Sequence, residues 1–491
     1  MDTAAWANAP YRPVPGIVDA ACTLFSHHGV GDIAATRADA KNLSATTNAI
    51  LAAIAKARAN CLHMILFVTG IPGAGKTLCG LNAVFGASRD AGATFLTGNP
   101  TLVHVLREAL ARDAADSDRL QLRAARQRTK AAIQALPAFR DHHVRTTDIP
   151  AEHVVVIDEA QRAWSRDHAV RKSVDREVRL SDSEPAHLLD IMQAHPDWAV
   201  IVCLIGHGQE IHDGEAGLAE WGAALAARPR WQVCAPPAAH LAGDPRRHLP
   251  PGLVLREDAA LFLNVPMRSL RNPHASAWVD LVLDGDAKGA RTLAQRHPPL
   301  PFRLTRDLDS MRSQLRRTRR GQRRCGLLVS SGARRLRADG LGAELPHMDA
   351  GAVAHWFLDR WPDVRASDAL ELLASKFSCQ GLELDFVGLC WAGDLSRQAG
   401  RTSWLVRDFK GTRWQTPTGH EAIANRLNTY RVLLTRARYE TIIWVPRGDA
   451  ADPSRPPWSF DAIADFLVSC GIDHVDEEVE TPAAMAQPAL I

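Results

Sequence analysis

The sequence predicts an α/β protein: two domains with parallel sheets in tandem, preceded by a helical segment. From residue 61 onward, the short apolar runs "MILFV", "ATFLTG", "HVVVIDEA" and "AVIVCLIG" alternate with helical stretches. That is the pattern of strands buried on both faces of a parallel sheet. A second alternation begins near Phe262 and includes "CGLLVSS", "FVGLCW" and "TIIWVP". Length agrees, because 491 residues with 46% hydrophobic composition suffice for two or three globular cores.

Taken in order, residues 1–60 read as a helical lead-in that ends in "NLSATTNAILAAIAKARAN", with Ser44 as the expected N-cap of an amphipathic helix. Residues 61–262 form the first α/β domain and residues 263–450 the second. Residues 451–491 read as a tail: "DPSRPP", a small helix around Phe460 to Cys470, and an acidic, Ala/Pro-rich end. No short-period repeat is present.

Composition sets limits on function. A formal net charge of +3 is only mildly basic, so contact with nucleic acid has to come from local patches. The nine cysteines are scattered and include no Cys-x-x-Cys pair, which fits reduced thiols and predicts no structural metal. The opening "MDTAAWANAPYRP" lacks a basic stretch followed by an apolar core, and no apolar run reaches membrane-spanning length. A soluble cytoplasmic protein is expected.

Chemistry enters with "FVTGIPGAGKTLCGLNAVFG". A glycine-rich loop alone reads as an ordinary turn. Here Gly-x-x-x-x-Gly-Lys-Thr sits between a predicted strand, Met64 to Val68, and a predicted helix, Leu78 to Phe85. Backbone N–H groups can then point inward around a polyphosphate, with the helix dipole behind them. The candidate contacts are Gly70, Gly73, Ala74, Gly75, Lys76, Thr77 and Leu78. Lys76 would reach the β- and γ-phosphates of ATP, and Thr77 would hold Mg²⁺.

"HVVVIDEAQRAW" places Asp158 and Glu159 at the carboxyl end of an apolar run. In a parallel sheet that edge faces the phosphate loop, so Asp158 is the second Mg²⁺ residue and Glu159 orients the attacking water. The next buried strand, "AVIVCLIGHGQEIH", ends in Gly206, Gly208, Gln209 and Glu210. Gln209 there is a candidate γ-phosphate sensor, although a polar loop residue explains it equally well.

Two arginines of the far half, Arg268 in "FLNVPMRSLRN" and Arg436 in "NRLNTYRVLLTRARYETIIWVP", are candidates to stabilise transition-state charge. Arg436 reads as helical, just before a strand. Two basic stretches are candidates for a different contact, the backbone of a nucleic acid. Arg119 to Arg145 reads as a helical arm on a phosphate backbone or as a solvated helix face. In "RSQLRRTRRGQRR", Arg316, Arg317, Arg319 and Arg320 crowd together, and such guanidiniums repel one another unless an anion or acidic neighbours offset them, so the four are candidate contacts to nucleic-acid phosphates, with a solvated surface as the alternative.

"GIPGAGKT", "DEAQ", "GHGQEI", "SKFSCQGLELDFVGL" and "YRVLLTRAR" stand in the order of motifs I, II, III, V and VI of superfamily 1 helicases. The fuller phrases "LTGNPTLVHVLREAL", "PAEHVVVIDEAQRAW", "GQEIHDGEAGLAEW" and "RLNTYRVLLTRAR" resemble the DUF2075 group, also described as the Schlafen group 3-like DNA/RNA helicase domain, over about residues 60 to 450. The resemblance implies two RecA-like domains, with Lys76, Thr77, Asp158, Glu159, Gln209, Arg268 and Arg436 forming the ATP site between them. It also implies that Thr97 and Asn99, with Gly381 and Glu383, lie on or near a nucleic-acid track. The third motif departs from the usual Gly-Asp-x-x-Gln, since its Asp is missing and its Gln is one residue closer to the glycine.

The expected function is an ATP-dependent, Mg²⁺-requiring translocase or helicase on single-stranded or partly duplex DNA or RNA. The alternative is an ATP-driven switch that binds nucleic acid or protein without unwinding, as a module of a larger defence complex. A P-loop kinase or AAA+ ATPase leaves the second α/β half unexplained. A nuclease would need a further ordered carboxylate or His cluster, and the sequence offers none.

Overall fold

In the computed structural model the apolar runs become the inner strands of two parallel sheets. The structure describes residues 17–25, 37–71, 74–87, 92–117, 120–206, 217–237, 249, 253–264, 274–321, 323–342, 344–345, 349–379, 381–398, 403–417 and 421–475. Its chain contacts divide it into two units, Met1–Leu270 and Arg271–Ile491.

The first unit holds β1 (His63–Gly70), β2 (Ala93–Thr97), β3 (Ile133–Ala135), β4 (Val154–Asp158), β5 (Ala199–Leu204), β6 (Trp231–Ala235), β7 (Leu255–Glu257) and β8 (Phe262–Leu263). The sheet order is β3-β2-β4-β5-β1-β6-β7, parallel throughout, and β8 joins the carboxyl end of β1. Every residue of β1, β4 and β5 is buried, as continuous Val/Ile/Leu runs require when both faces are covered. Helix Lys76–Asn82 lies close on this sheet. A Cβ at Gly80 would stand 2.7 Å from a Leu204 methyl and 2.9 Å from a Val156 methyl.

Ser44 does not cap a helix. It lies inside the single helix Arg37–Asn60. The preceding turn carries Leu43, only 1% exposed, so burial extends the helix back past Ser44. This lead-in helix packs on the first unit, with Ile50, Ile54 and Ala57 buried. Thr46 Oγ1 donates to the Ala260 carbonyl at 2.6 Å, and Asn82 Nδ2 donates to Thr47 Oγ1 at 3.2 Å. The unit runs past residue 262 because β8 pairs with β1.

The Arg119 to Arg145 stretch is not one arm. It divides into helix Leu122–Ala132, strand β3 and helix Leu136–Thr146. Arg126 makes a two-point contact with Glu108 at 2.8 Å. Arg140 is fully buried, with Glu184 at 2.5 Å and Asp141 at 2.6 Å.

The second unit holds β9 (Phe302–Thr305), β10 (Cys325–Val329), β11 (Leu373–Ser375), β12 (Leu384–Cys390), β13 (Leu395–Ser396), β14 (Leu405–Val406), β15 (Asp408–Lys410), β16 (Arg413–Gln415), β17 (Ala437–Trp444) and β18 (Asp473–His474). Its sheet runs β11-β10-β12-β17-β9-β18, again parallel. Leu327, Val329, Cys390, Ile442 and Trp444 belong to its core. Strands β13–β14 and β15–β16 are small antiparallel pairs. After residue 450 the expected small helix is present, and the acidic end lies outside the described residues. Helix Pro457–Ser469 buries Phe460, Ile463 and Leu467, Trp278 Nε1 donates to the Cys470 carbonyl at 3.0 Å, and β18 extends the sheet.

Candidate functional site

In the first sheet the carboxyl ends of β1, β4 and β5 lie side by side, because β5 pairs with both neighbours. The loop after β1 starts at Gly70, where a Cβ would stand 2.6 Å from the Leu263 carbonyl oxygen; glycine there is a demand of close approach. Ile71 N–H donates to that same carbonyl at 3.1 Å, so β8 fixes the entry of the loop. Gly75, with φ 82°, takes the left-handed turn that opens the helix at Lys76. The Lys76 ammonium donates to the carbonyls of Gly70 at 2.9 Å and Ile71 at 3.1 Å, across the loop mouth. Ala74 N–H bonds the Ile71 carbonyl within the loop, and the Ala74 and Leu78 side chains are buried.

Thr77 Oγ1 donates to Asp158 Oδ1 at 3.3 Å. Asp158 is buried, and that burial, with the negative charge of Glu159 beside it, pushes its carboxyl up to about 7 against the pull of Thr77, Lys76 and Arg162. A hydroxyl and a buried, undercompensated carboxylate are oxygen donors suited to a hard divalent cation such as Mg²⁺.

Glu159 holds a left-handed backbone, φ 52°, which costs a non-glycine residue about 1–3 kcal/mol. Its Oε2 accepts from Gln161 Nε2 at 2.6 Å and faces Arg162 Nε at 3.3 Å. Gln161 Oε1 in turn accepts the Gly206 N–H at 2.9 Å, so one amide joins the Glu159 carboxylate to the loop that leaves β5. A Cβ at Gly206 would crowd Gln161 Nε2 at 3.0 Å and Glu159 Oε2 at 3.2 Å. Trp221 Nε1 donates to the Ala160 carbonyl at 2.9 Å and anchors the turn from below. The sequence reading left Gln161 unassigned, although it is the last letter of "DEAQ".

The remaining predicted residues divide. Gly73, Gln209 and Arg268 lie outside the described residues. Thr97, buried at the end of β2, pairs in register with Asp158, and its Oγ1 accepts the Asn99 N–H at 3.2 Å. Asn99 Oδ1 accepts Leu102 N–H at 3.3 Å in the first turn of helix Pro100–Ser117. In the second unit Gly381, φ 79°, and the half-buried Glu383 immediately precede β12. Arg436 is not helical. Helix Glu421–Leu434 ends before it, because the Arg436 carbonyl accepts Leu384 N–H at 3.2 Å and so begins the β12–β17 pairing. Its side chain is 6% exposed, and Nε donates to the Val432 carbonyl at 3.0 Å.

The basic run after helix Leu308–Thr318 is offset in part by the fold itself. Arg319 Nη1 donates to the Asp368 carbonyl at 2.5 Å, Arg323 stacks over Tyr439 at 5.1 Å, and Arg324 reaches the Leu358 and Asp359 carbonyls. Arg316, Arg317 and Arg320 are exposed. Above this sheet the fully buried Asp394 accepts from Tyr430 OH at 2.6 Å and pairs with Arg426, whose other nitrogen meets Asp408 at 2.9 Å. No helix among the described residues is long and apolar enough to cross a membrane.

Residues 63–447 match the family model of the Schlafen group 3 DNA/RNA helicase domain, and the chain belongs to that family. No curated protein matches the chain. Among solved structures, a DUF1998 helicase, MrfA, bound to DNA and AMPPNP, is similar at 14% identity with a TM-score of 0.33. The match covers 94% of this chain and 57% of that one, so the chain spans little more than half the length of MrfA.

Proposed function

We propose that this member of the Schlafen group 3 helicase-domain family is an ATP-dependent nucleic-acid translocase or helicase of superfamily 1 type, with two RecA-like domains. The observation that supports it most is the gathering of Lys76, Thr77, Asp158, Glu159, Gln161 and Gly206 at the ends of three adjacent strands, where Thr77 bonds Asp158 and Gln161 bonds both Glu159 and Gly206. Lys76 exchanges its two loop carbonyls for the β- and γ-phosphates. Thr77 and Asp158 hold Mg²⁺, which supplies positive charge to the phosphate oxygens. Glu159, held by Gln161 and Arg162, orients the attacking water. Arg268 and Arg436 are the arginines assigned to transition-state charge, and Gln209 is assigned to sensing the γ-phosphate. Thr97, Asn99, Gly381 and Glu383 are assigned to the nucleic-acid track.

ATP hydrolysis measured with and without single-stranded DNA or RNA tests this reading. Turnover should rise with the strand, Glu159→Gln should bind ATP while losing roughly 10²–10⁴-fold in turnover, and Lys76→Ala should weaken both binding and turnover. Near-normal hydrolysis by either variant refutes the ATP site. A second reading is an ATP-driven switch that binds nucleic acid or a protein partner without unwinding. It is favoured by the small size of the additions between β12 and helix Glu421–Leu434, which among the described residues are only two antiparallel strand pairs. Strand displacement from a partly duplex substrate separates the two readings.

A further inference from the structure

Trp361 is 54% exposed, yet its position is tightly specified. Its backbone N–H donates to Asp368 Oδ1 at 2.9 Å, and the neighbouring Arg360 Nε donates to the other oxygen of the same carboxylate at 2.9 Å. Asp368 is 2% exposed, so a buried anion pins the turn that carries the indole. The Asp368 carbonyl also accepts Arg319 Nη1 at 2.5 Å, and the Arg319 guanidinium stands 5.5 Å from the centre of the Trp361 ring. One carboxylate residue therefore organises an outward-facing indole and a guanidinium against each other. Arg316, Arg317 and Arg320 are exposed at the end of the same helix that delivers Arg319.

We infer that Trp361 and these arginines form a platform for a single nucleic-acid strand, on which an unpaired base stacks on the indole while the guanidiniums hold flanking phosphates. The inference rests on the nucleic-acid reading above and adds to it a base-stacking residue that no motif contains. The chemistry selects the ligand. The Arg319 guanidinium lies over one face of the indole and leaves the exposed remainder to a base, and the exposed guanidiniums of Arg316, Arg317 and Arg320 suit a polyanion. Stacking needs an unpaired base, which a duplex does not present. An acidic polypeptide would use the cations but would gain little from a rigid aromatic face.

The test uses the full chain and two strands of equal length, an oligothymidylate and an abasic analogue, with binding followed by fluorescence anisotropy across a salt series. Trp361→Ala should weaken the base-bearing strand roughly 5- to 150-fold and leave the abasic strand unchanged, while Trp361→Phe retains most of the affinity. Replacing Arg316, Arg317 and Arg320 with Gln should weaken both strands and flatten the slope of log affinity against log salt by roughly 2. Basal ATP hydrolysis should stay at the wild-type level in Trp361→Ala, which reports that the variant is folded. Equal losses on the two strands, or no loss while the wild type binds, overturn the platform and leave the nucleic-acid reading intact. Binding of neither strand by the wild type overturns both. Polyglutamate binding that depends on Trp361, with strand binding that does not, reassigns the surface to an acidic protein.

Discussion

The two parallel sheets present their polar residues in opposite ways. In the first, Lys76, Thr77, Asp158, Glu159 and Gln161 gather at the carboxyl ends of β1 and β4 and bond chiefly to loop carbonyls and to one another. In the second, Gly381, Glu383 and Arg436 lie at the amino ends of β12 and β17, and the polar cluster around Asp394 is centred on a fully buried carboxylate. The difference teaches that a polar cluster can be a site or a clamp. Groups at a glycine-lined loop, some half-buried and some buried but still slightly exposed as Asp158 is, can trade partners with a ligand. A carboxylate at 0% exposure, already satisfied by a tyrosine and an arginine, cannot do so without leaving a charge buried.

The comparison breaks most visibly at Arg426. Arg426→Leu leaves Asp394 with a buried, uncompensated charge and should cost about 3–5 kcal/mol in thermal or urea unfolding, and the double variant with Asp394→Leu should recover part of the loss. If Arg426→Leu instead leaves stability intact and removes turnover alone, the clamp is a site after all.

A smaller effect sharpens the other side. Gln161→Ala removes the amide between Glu159 and Gly206, so turnover should fall about 10- to 100-fold with little change in KM or unfolding temperature. A fall in stability of the size expected for Arg426→Leu would make Gln161 structural.

The smallest effect concerns the helix that carries Arg316 and Arg317. Asp307 caps this helix by accepting Ser310 N–H at 2.7 Å, and the Ser310 hydroxyl, followed by that backbone bond, holds the Asp307 carboxyl below the usual carboxylate range. Asp307→Ala should cost about 0.5–1 kcal/mol. Because the folded value is depressed, this contribution is complete above the ordinary Asp value of 3.8 and disappears as pH falls through the folded value, so wild type and variant should converge in acid. A gap in unfolding temperature that persists at low pH would show that the cap acts without its charge.

The sequence by itself determined the α/β class, the buried strands and the local chemistry of two motifs. These rest on short-range physics: continuous apolar runs, a glycine loop before a lysine and a threonine, and carboxylates at a strand end. Ser44 shows where that reach ends, because a serine's capping preference is a local signal and the burial of Leu43 overrode it. Contacts between residues far apart in sequence were decided only by the tertiary structure. Gln161 meets Gly206 because β4 and β5 are neighbours, β8 fixes Gly70 because a strand two hundred residues later returns to β1, and Trp361 faces outward because Asp368 is buried beneath its turn. Composition and periodicity describe what a residue offers. Its partners depend on strand order and burial, and these emerge only when the sheets are assembled.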